Sequence, residues 1–398
     1  MRHREEQGRV KILIYTHSFA PQIGGVQRIV MSLAEGLTRL CAENGRAAAE
    51  VTLATPTPAR GMNDDALPFR VVRQPRMGEL VRLLREADIV HLAGPALLPL
   101  ALAWIMEKRV VVEHHGFQTV CPNGQLFHEP SQTPCSGHFM AERHLECLRC
   151  NAKRGTFASL SMWLLTFLRR RLCELASANI SPTTWLATVL QLPRTTTILH
   201  GLRQRGRDEA NREPARPANF VFVGRLVGTK GVEVLLAAAQ KLRNQGHVFG
   251  VKIIGDGPDR RKLEAKASSS GLDGHVEFLG NLADERMDDV IAGATAVVMP
   301  SLAGEVFGLV ASEAMLRGRP VIASDIGALR EVVGEDGLLF TPGDDCGLTG
   351  HMGQLLASAA RAAELGRKAS RRAMELFSED RMAEQHFSLY GGVLPCDK

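Results

Sequence analysis

Two α/β domains, each built on a parallel sheet in the Rossmann manner, are predicted by three observations. Short apolar runs alternate with stretches of helical periodicity. One strand–loop–helix opening occurs twice, about 210 residues apart. A single long charged stretch without apolar periodicity, Arg203 to Pro217, separates the two copies. Strands alternating with helices imply βαβ units, whose crossovers make the sheets parallel.

The first copy begins with Val10-Lys-Ile-Leu-Ile-Tyr15, a run of buried-strand length. A loop with Pro21, Gly24 and Gly25 follows. Val26, Ile29, Val30, Leu33, Ala34 and Leu37 then recur at helical spacing. Ile89 to Leu92 and Val110 to Val112 read as further strands. The second copy begins with the strand Phe220 to Val223 and the loop Gly224 to Gly231; Val234, Leu235, Ala238 and Leu242 form one helix face. Val251 to Ile254, Ala296 to Met299 and Pro320 to Ala323 continue the alternation. The boundary in the charged stretch makes the domains 1–205 and 206–398. Ligands of such sheets bind at the carboxyl ends of the strands, so the site is expected in the cleft between the domains.

Length and composition agree. The chain has 398 residues, 45% of them apolar and 23% charged, which suits two globular domains and argues against disorder, collagen and coiled coil. Lys plus Arg is 48 and Asp plus Glu 43, a net charge of +5. That excess is too small for a dedicated nucleic-acid binder, and no nucleic-acid partner is expected. It is also uneven: residues 1–200 carry 23 basic and 16 acidic side chains, residues 201–398 carry 25 and 27. No run reaches the eighteen or so apolar residues of a membrane span, and Val10 to Tyr15 is too brief for a signal peptide. A cytoplasmic location is expected, where the eight cysteines are thiols or metal ligands rather than disulfides.

The second strand runs into Gly224-Arg225-Leu-Val-Gly-Thr-Lys230-Gly231 and then a helix. Glycines permit close backbone approach, a helix N-terminus favours an anion, and two cations reach the same mouth, which suits a diphosphate. No Ser or Thr follows the lysine, so this is not a Walker loop. A surface loop with solvated charges is the other reading of the spacing. Eighty residues on, Pro300-Ser-Leu-Ala-Gly-Glu305-Val-Phe307-Gly308-Leu309-Val-Ala-Ser-Glu313 follows another predicted strand. The apolar residues around its two glutamates suggest a partly buried loop, where carboxylates need hydroxyl or cationic partners.

Taken together, Gly224-Arg225…Lys230-Gly231, Gly255-Asp-Gly257-Pro258 and Glu305-x7-Glu313 resemble the retaining glycosyltransferases of family 4, which have the GT-B fold. Pro21-x2-Gly24-Gly25, the stretch Pro320 to Phe340 with Gly327 and Glu331, and Phe377-Ser378 to Tyr390 extend the resemblance over nearly the whole chain. It implies two Rossmann-like domains facing a cleft, with the final helix, about 378–392, packing back on the first. It further implies transfer of a sugar from a UDP- or GDP-sugar to a saccharide or lipid-linked acceptor, in cell-surface polysaccharide, lipopolysaccharide or glycolipid synthesis. Arg225 and Lys230 would neutralise the donor diphosphate in place of a metal, so no catalytic cofactor is expected. Glu313 would bind the ribose and Glu305 the donor sugar, with backbone amides of Phe307, Gly308 and Leu309 completing the donor contacts. Gly24 and Gly25 would let the first loop approach the phosphate or the acceptor. His115, in Glu113-His114-His115-Gly116 at a strand end, would contact the sugar and transition state, with His114 as the alternative. The chain departs from the family at Gly327-Ala328, where Gly-Gly is usual, and at His200-Gly201, where Asn-Gly is usual.

An insertion of about 117–155 carries Cys121, Cys135, Cys147 and Cys150, a feature shared with a subset of the family. Four thiolates are what tetrahedral zinc requires, although only one pair is closely spaced; His128, His138 and His144 are spare ligands nearby. A structural zinc and plain buried thiols are the two readings. The helix Phe157 to Arg171 is apolar and ends in Arg169-Arg170-Arg171. It reads as a buried domain helix, or as a surface helix on an anionic membrane with Trp163 and Phe167 inserted. Two other functions share parts of these features. An oxidoreductase would need Gly-x-Gly-x2-Gly after a strand, which is missing; a non-catalytic sugar-nucleotide-binding protein or an epimerase of the same fold would keep the site residues.

Overall fold

A computed structural model describes residues 10–22, 24–43, 49–203 and 217–394. The charged stretch predicted as the linker lies almost wholly outside the described residues. The chain divides into two compact units. The first holds 1–130, 135–203 and 377–398; the second holds 131–134 and 204–376.

The first unit is built on seven parallel strands: β1 (Lys11–Thr16), β2 (Glu50–Thr55), β3 (Arg70–Arg73), β4 (Ile89–Ala93), β5 (Arg109–Glu113), β6 (Ala178–Ser181) and β7 (Thr195–Thr197). Their order is β3-β2-β1-β4-β5-β6-β7. The second unit has β8 (Asn219–Val223), β9 (Gly250–Ile254), β10 (Val276–Gly280), β11 (Ala296–Met299), β12 (Val321–Ser324) and β13 (Leu338–Phe340). Their order is β10-β9-β8-β11-β12-β13. In each sheet the order reverses beside the first strand, between β1 and β4 and between β8 and β11. Such reversals open a crevice at the carboxyl ends, where loops from neighbouring strands diverge. The expected α/β class with two parallel sheets is what the chain forms.

Strands covered on both faces need continuous apolar runs, and β4, β11 and β12 are buried at every position. The strands missed by sequence, such as β2, dilute that signal with Glu50, Thr52 and Thr55. Helix α1 (Gly25–Glu43) buries Ile29, Val30, Leu33, Ala34 and Leu37, the predicted face. Its opposite number, α7 (Val232–Asn244), buries Leu235, Ala238 and Leu242 in the second core, which also takes in Phe220, Phe222 and Ile253. Helix α14 (Glu379–Val393) belongs to the first unit and packs along α1. Arg39 of α1 pairs there with Glu379 and, at 2.8 Å, with Asp380. Among the described residues no helix is long and apolar enough to cross a membrane.

Helix α5 (Thr156–Leu175) departs from the sequence reading. It is not buried all round: Phe157, Leu160, Leu164 and Leu168 form an exposed stripe. Trp163 and Phe167, the residues expected to insert into a membrane, turn inward. Phe167 packs 4.7 Å from Phe139 and Trp163 5.5 Å from His144, ring centre to ring centre. Aromatic rings gain most where they are desolvated against other rings, and the cysteine-bearing insertion supplies those rings.

Candidate active site

In the second unit the site grows from two adjacent strand ends. Strand β8 delivers Gly224 and Arg225, the latter exposed to solvent. The chain then makes a single turn over Gly228–Lys230 and enters α7 through Gly231. Gly231 has φ +66°, and a Cβ there would lie 1.9 Å from the Pro300 carbonyl oxygen. Only glycine fits such a left-handed position against a neighbouring backbone. The Leu302 amide donates to the Thr229 carbonyl at 2.8 Å, which ties the lysine loop to the loop after β11. The Gly255-Asp-Gly257 loop is fixed in the same way, Leu226 N–H donating to the Asp256 carbonyl at 2.9 Å.

These ties bring Lys230 and Glu305 together, 75 residues apart in sequence. Lys230 Nζ donates to Glu305 Oε1 at 2.5 Å, and the Ser301 hydroxyl donates to the same oxygen at 2.7 Å. Glu305 is buried, which by itself pushes its carboxyl up; the lysine charge and the two hydrogen bonds outweigh that and hold it below its ordinary 4.5. Stability from a depressed carboxyl is present above the ordinary value and is lost as pH falls through the folded one. Wild-type protein should therefore lose melting temperature more steeply below about pH 4.5 than Glu305→Gln does, measured by scanning calorimetry across pH. Parallel curves would remove Glu305 from the acid response.

Helix α10 (Leu309–Leu316) starts at Gly308, whose φ is +99°. A Cβ on Gly308 would lie 2.5 Å from the Leu329 side chain. Phe307 is buried beneath this corner, and Glu313 is buried one turn into the helix. The start of α10 therefore follows Glu305 closely at the end of β11, where backbone N–H groups lack intrahelical partners and attract an anion. Glu313 and Glu305 hold different positions: one on a helix face, the other on the loop with the lysine. Ser301 was not singled out from sequence, since an isolated serine after a strand carries no pattern.

In the first unit, Gly25 begins α1 and Gly24 precedes it at the end of the β1 loop. Beyond β5, the two histidines separate. His114 is fully buried, with Nε2 2.9 Å from Asn179 Oδ1, and burial pushes its pKa down to about 4. His115 stacks on His200, ring centres 5.2 Å apart and planes at 29°. Burial pushes it down to about 3, so it is neutral near pH 7. Sequence reasoning treated His200 only as a departure from Asn-Gly; the fold makes it the stacking partner of His115. It also overlooked Glu113, fully buried with His91 Nε2 at 3.1 Å and His200 Nε2 at 3.2 Å. A charged residue closing the apolar run of a central strand was the available signal.

The cysteines form one neighbourhood in the insertion. Cys121, Cys135 and Cys150 surround Cys147, and all four are free thiols. Cys121 Sγ donates to Asn123 Oδ1 at 2.9 Å, and Cys150 Sγ accepts from the Glu129 amide at 3.4 Å. Among the described residues, three groups of candidate ligand atoms lie within 4.8 Å of one another, and none contains these four sulfurs. Tetrahedral thiolates around zinc need sulfurs about 3.8 Å apart. Cys121 and Cys150 thus each make a hydrogen bond within the loop.

The two-sheet architecture and its strand-end loops define the GT-B class of fold. Residues 205–372 match the family model described as glycosyl transferases group 1. Over 170 residues the chain is 38% identical to the MMP alpha-(1->4)-mannosyltransferase of Mycolicibacterium hassiacum, a match covering 41% of this chain and 40% of that protein. It thus spans less than half the length of this curated relative. Among solved structures, sucrose-phosphate synthase from Thermosynechococcus elongatus superposes with a TM-score of 0.70 at 22% identity, over 97% of this chain and 99% of the other. Anabaena HepE in complex with UDP-glucose gives 0.69 at 19% identity, over 96% and 100%. The matched residues 205–372 thus fall almost wholly in the second unit, and the whole chain shares the GT-B fold of these solved structures.

Proposed function

We propose that the chain is a retaining, metal-independent glycosyltransferase that moves a sugar from a nucleoside-diphosphate sugar to a saccharide or lipid-linked acceptor. The observation that carries this reading is the Lys230–Glu305 pair, on the loop that also carries the exposed Arg225 and the loop that leads into α10. The leaving group is a nucleoside diphosphate. Fixed cations and helix amides stabilise the charge that grows on it as the glycosidic bond breaks, without reorganisation during reaction. Arg225 and Lys230 supply the cations. Glu305 accepts hydrogen bonds from sugar hydroxyls and Glu313 from the ribose. His115, neutral and stacked, offers polar contact to the sugar; no protein nucleophile is assigned. The group 1 domain match and the UDP-glucose complex of a protein with the same fold support a nucleotide-sugar donor. A panel of UDP- and GDP-sugars, assayed for nucleotide release and transfer, tests the reading; absence of binding, hydrolysis and transfer for every donor would sink it.

The acceptor side is read from α5. Its exposed stripe is Phe157, Leu160, Leu164 and Leu168, and α5 packs against α3 (Leu97–Ile105), which ends in exposed Trp104 and Ile105. Lys153, Arg154 and Arg171 are exposed at the two ends of the helix. An apolar face rimmed by cations suits an anionic membrane surface, which would present a lipid-linked acceptor. Leu164→Glu with Leu168→Glu should cut co-flotation with phosphatidylglycerol vesicles at least about tenfold while leaving the melting temperature nearly unchanged. Undiminished flotation would remove α5 from membrane contact.

A further inference from the structure

Four imidazoles converge on one buried carboxylate in the first unit. Each turns its Nε2 toward Glu113: His91 at 3.1 Å, His115 at 3.6 Å and His386 at 3.8 Å from Oε2, and His200 at 3.2 Å from Oε1. Glu113, His91 and His386 have fully buried side chains. Of the three contacts to Oε2, that of His91 has the distance and geometry of a hydrogen bond.

His386 is the side chain that a hydrogen-bond network leaves unexplained. Its Nδ1 lies 2.8 Å from the Met382 carbonyl, one turn back in α14, so Nδ1 must carry the proton and donate it there. In the neutral ring Nε2 is then a bare lone pair. It is buried, has no hydrogen-bond partner, and faces a carboxylate oxygen that is also an acceptor. Two buried acceptors aimed at each other are repulsive unless a proton on the ring or a metal cation lies between them. His91 is oriented in a similar way: its Nδ1 meets the Tyr390 hydroxyl at 2.9 Å, which can donate or accept as the tautomer requires. An imidazole whose second nitrogen donates to a backbone carbonyl, as His386 does, has the outer-shell arrangement of a metal-ligating histidine.

We propose that His91 Nε2, Glu113 Oε2 and His386 Nε2 bind a divalent transition cation, zinc by donor chemistry. The three ligand atoms lie within 4.8 Å of one another. Metal–ligand bonds of about 2.1 Å would span the 3.1 and 3.8 Å edges at angles of roughly 95° and 130°, within a distorted tetrahedron. Imidazole and carboxylate together suit zinc better than calcium or magnesium, which prefer all-oxygen shells. On binding, His91 gives Nε2 to the metal and its Nδ1–H donates to the Tyr390 oxygen. The role is structural. His91 is on β4, Glu113 on β5 and His386 on α14, so the cation would pin the terminal helix to the central strands.

The full chain, stripped with chelator and then equilibrated with zinc ions, should retain about one equivalent through desalting, and its melting temperature should rise on zinc addition. Zinc K-edge absorption should give a first shell of nitrogen and oxygen near 2.0–2.1 Å without sulfur near 2.3 Å. His386→Gln should lose the retained zinc, whereas Cys147→Ser with Cys150→Ser should keep it. If folded wild-type protein retains no zinc, or the shell contains sulfur, the proposal is overturned. Should His386→Gln fail to fold, the wild-type stoichiometry and spectrum still decide. None of these readouts depends on sugar transfer, so the result stands apart from the proposed activity.

Discussion

Lys230→Ala lowers turnover at least about a hundredfold, or about 2.7 kcal/mol of transition-state stabilisation, with a smaller effect on donor binding. The size follows from what the ammonium group faces. Lys230 Nζ is bonded to Glu305 Oε1, so its removal takes a cation from the diphosphate and also leaves a buried carboxylate with Ser301 as its remaining hydrogen-bond donor. That carboxylate then repels the departing phosphate instead of being balanced. Steady-state kinetics with the best donor, with circular dichroism as the folding check, measures the effect. Lys230→Arg restores part of the loss if charge is what matters, since a guanidinium cannot reproduce the single short contact. Near-wild-type turnover in Lys230→Ala would remove the lysine from the transition state.

Gly231→Ala is the second large effect, and its cause is steric. The new methyl would sit 1.9 Å from the Pro300 carbonyl oxygen at a φ of +66°. A left-handed alanine costs about 1–2 kcal/mol before any clash, and two backbones must then separate. We expect a total of about 3 kcal/mol and a fall in melting temperature of roughly 6–12 °C. The same separation breaks the Leu302 N–H to Thr229 carbonyl bond, which holds the lysine loop against the glutamate loop. Activity should therefore fall even below the melting transition. A folded Gly231→Ala enzyme with full activity would mean that the two loops need no fixed spacing.

The sequence was informative wherever a role is carried by local pattern. Short continuous apolar runs located seven of the thirteen strands of the two sheets, and period-3.6 recurrence located the α1 and α7 faces. Glycines beside Arg225 and Lys230 marked an anion loop because a helix N-terminus and two cations are local facts. Glu305 and Glu313 could be named together but not told apart by spacing. Their difference arises because Gly308 turns the chain between them, leaving one on the lysine's loop and the other on a helix face.

Helix α5 shows the limit more sharply. Its apolar residues cover more than one face, so composition could not separate a buried helix from a surface one. What decided it was the neighbour: the insertion supplies Phe139 and His144 to Trp163 and Phe167, and among the described residues none covers Phe157, Leu160, Leu164 and Leu168 to the same degree.

By itself, the sequence determined the α/β class, the duplicated strand–loop–helix plan and the chemical character of the strand-end loops, because periodicity, glycine and charge act over a few residues. Tertiary structure alone decided which of these groups meet. Lys230 finds Glu305 across 75 residues, and Tyr390 finds His91 across 299. Such pairings depend on strand order and on the return of the last helix to the first unit, and no spacing along the chain encodes either.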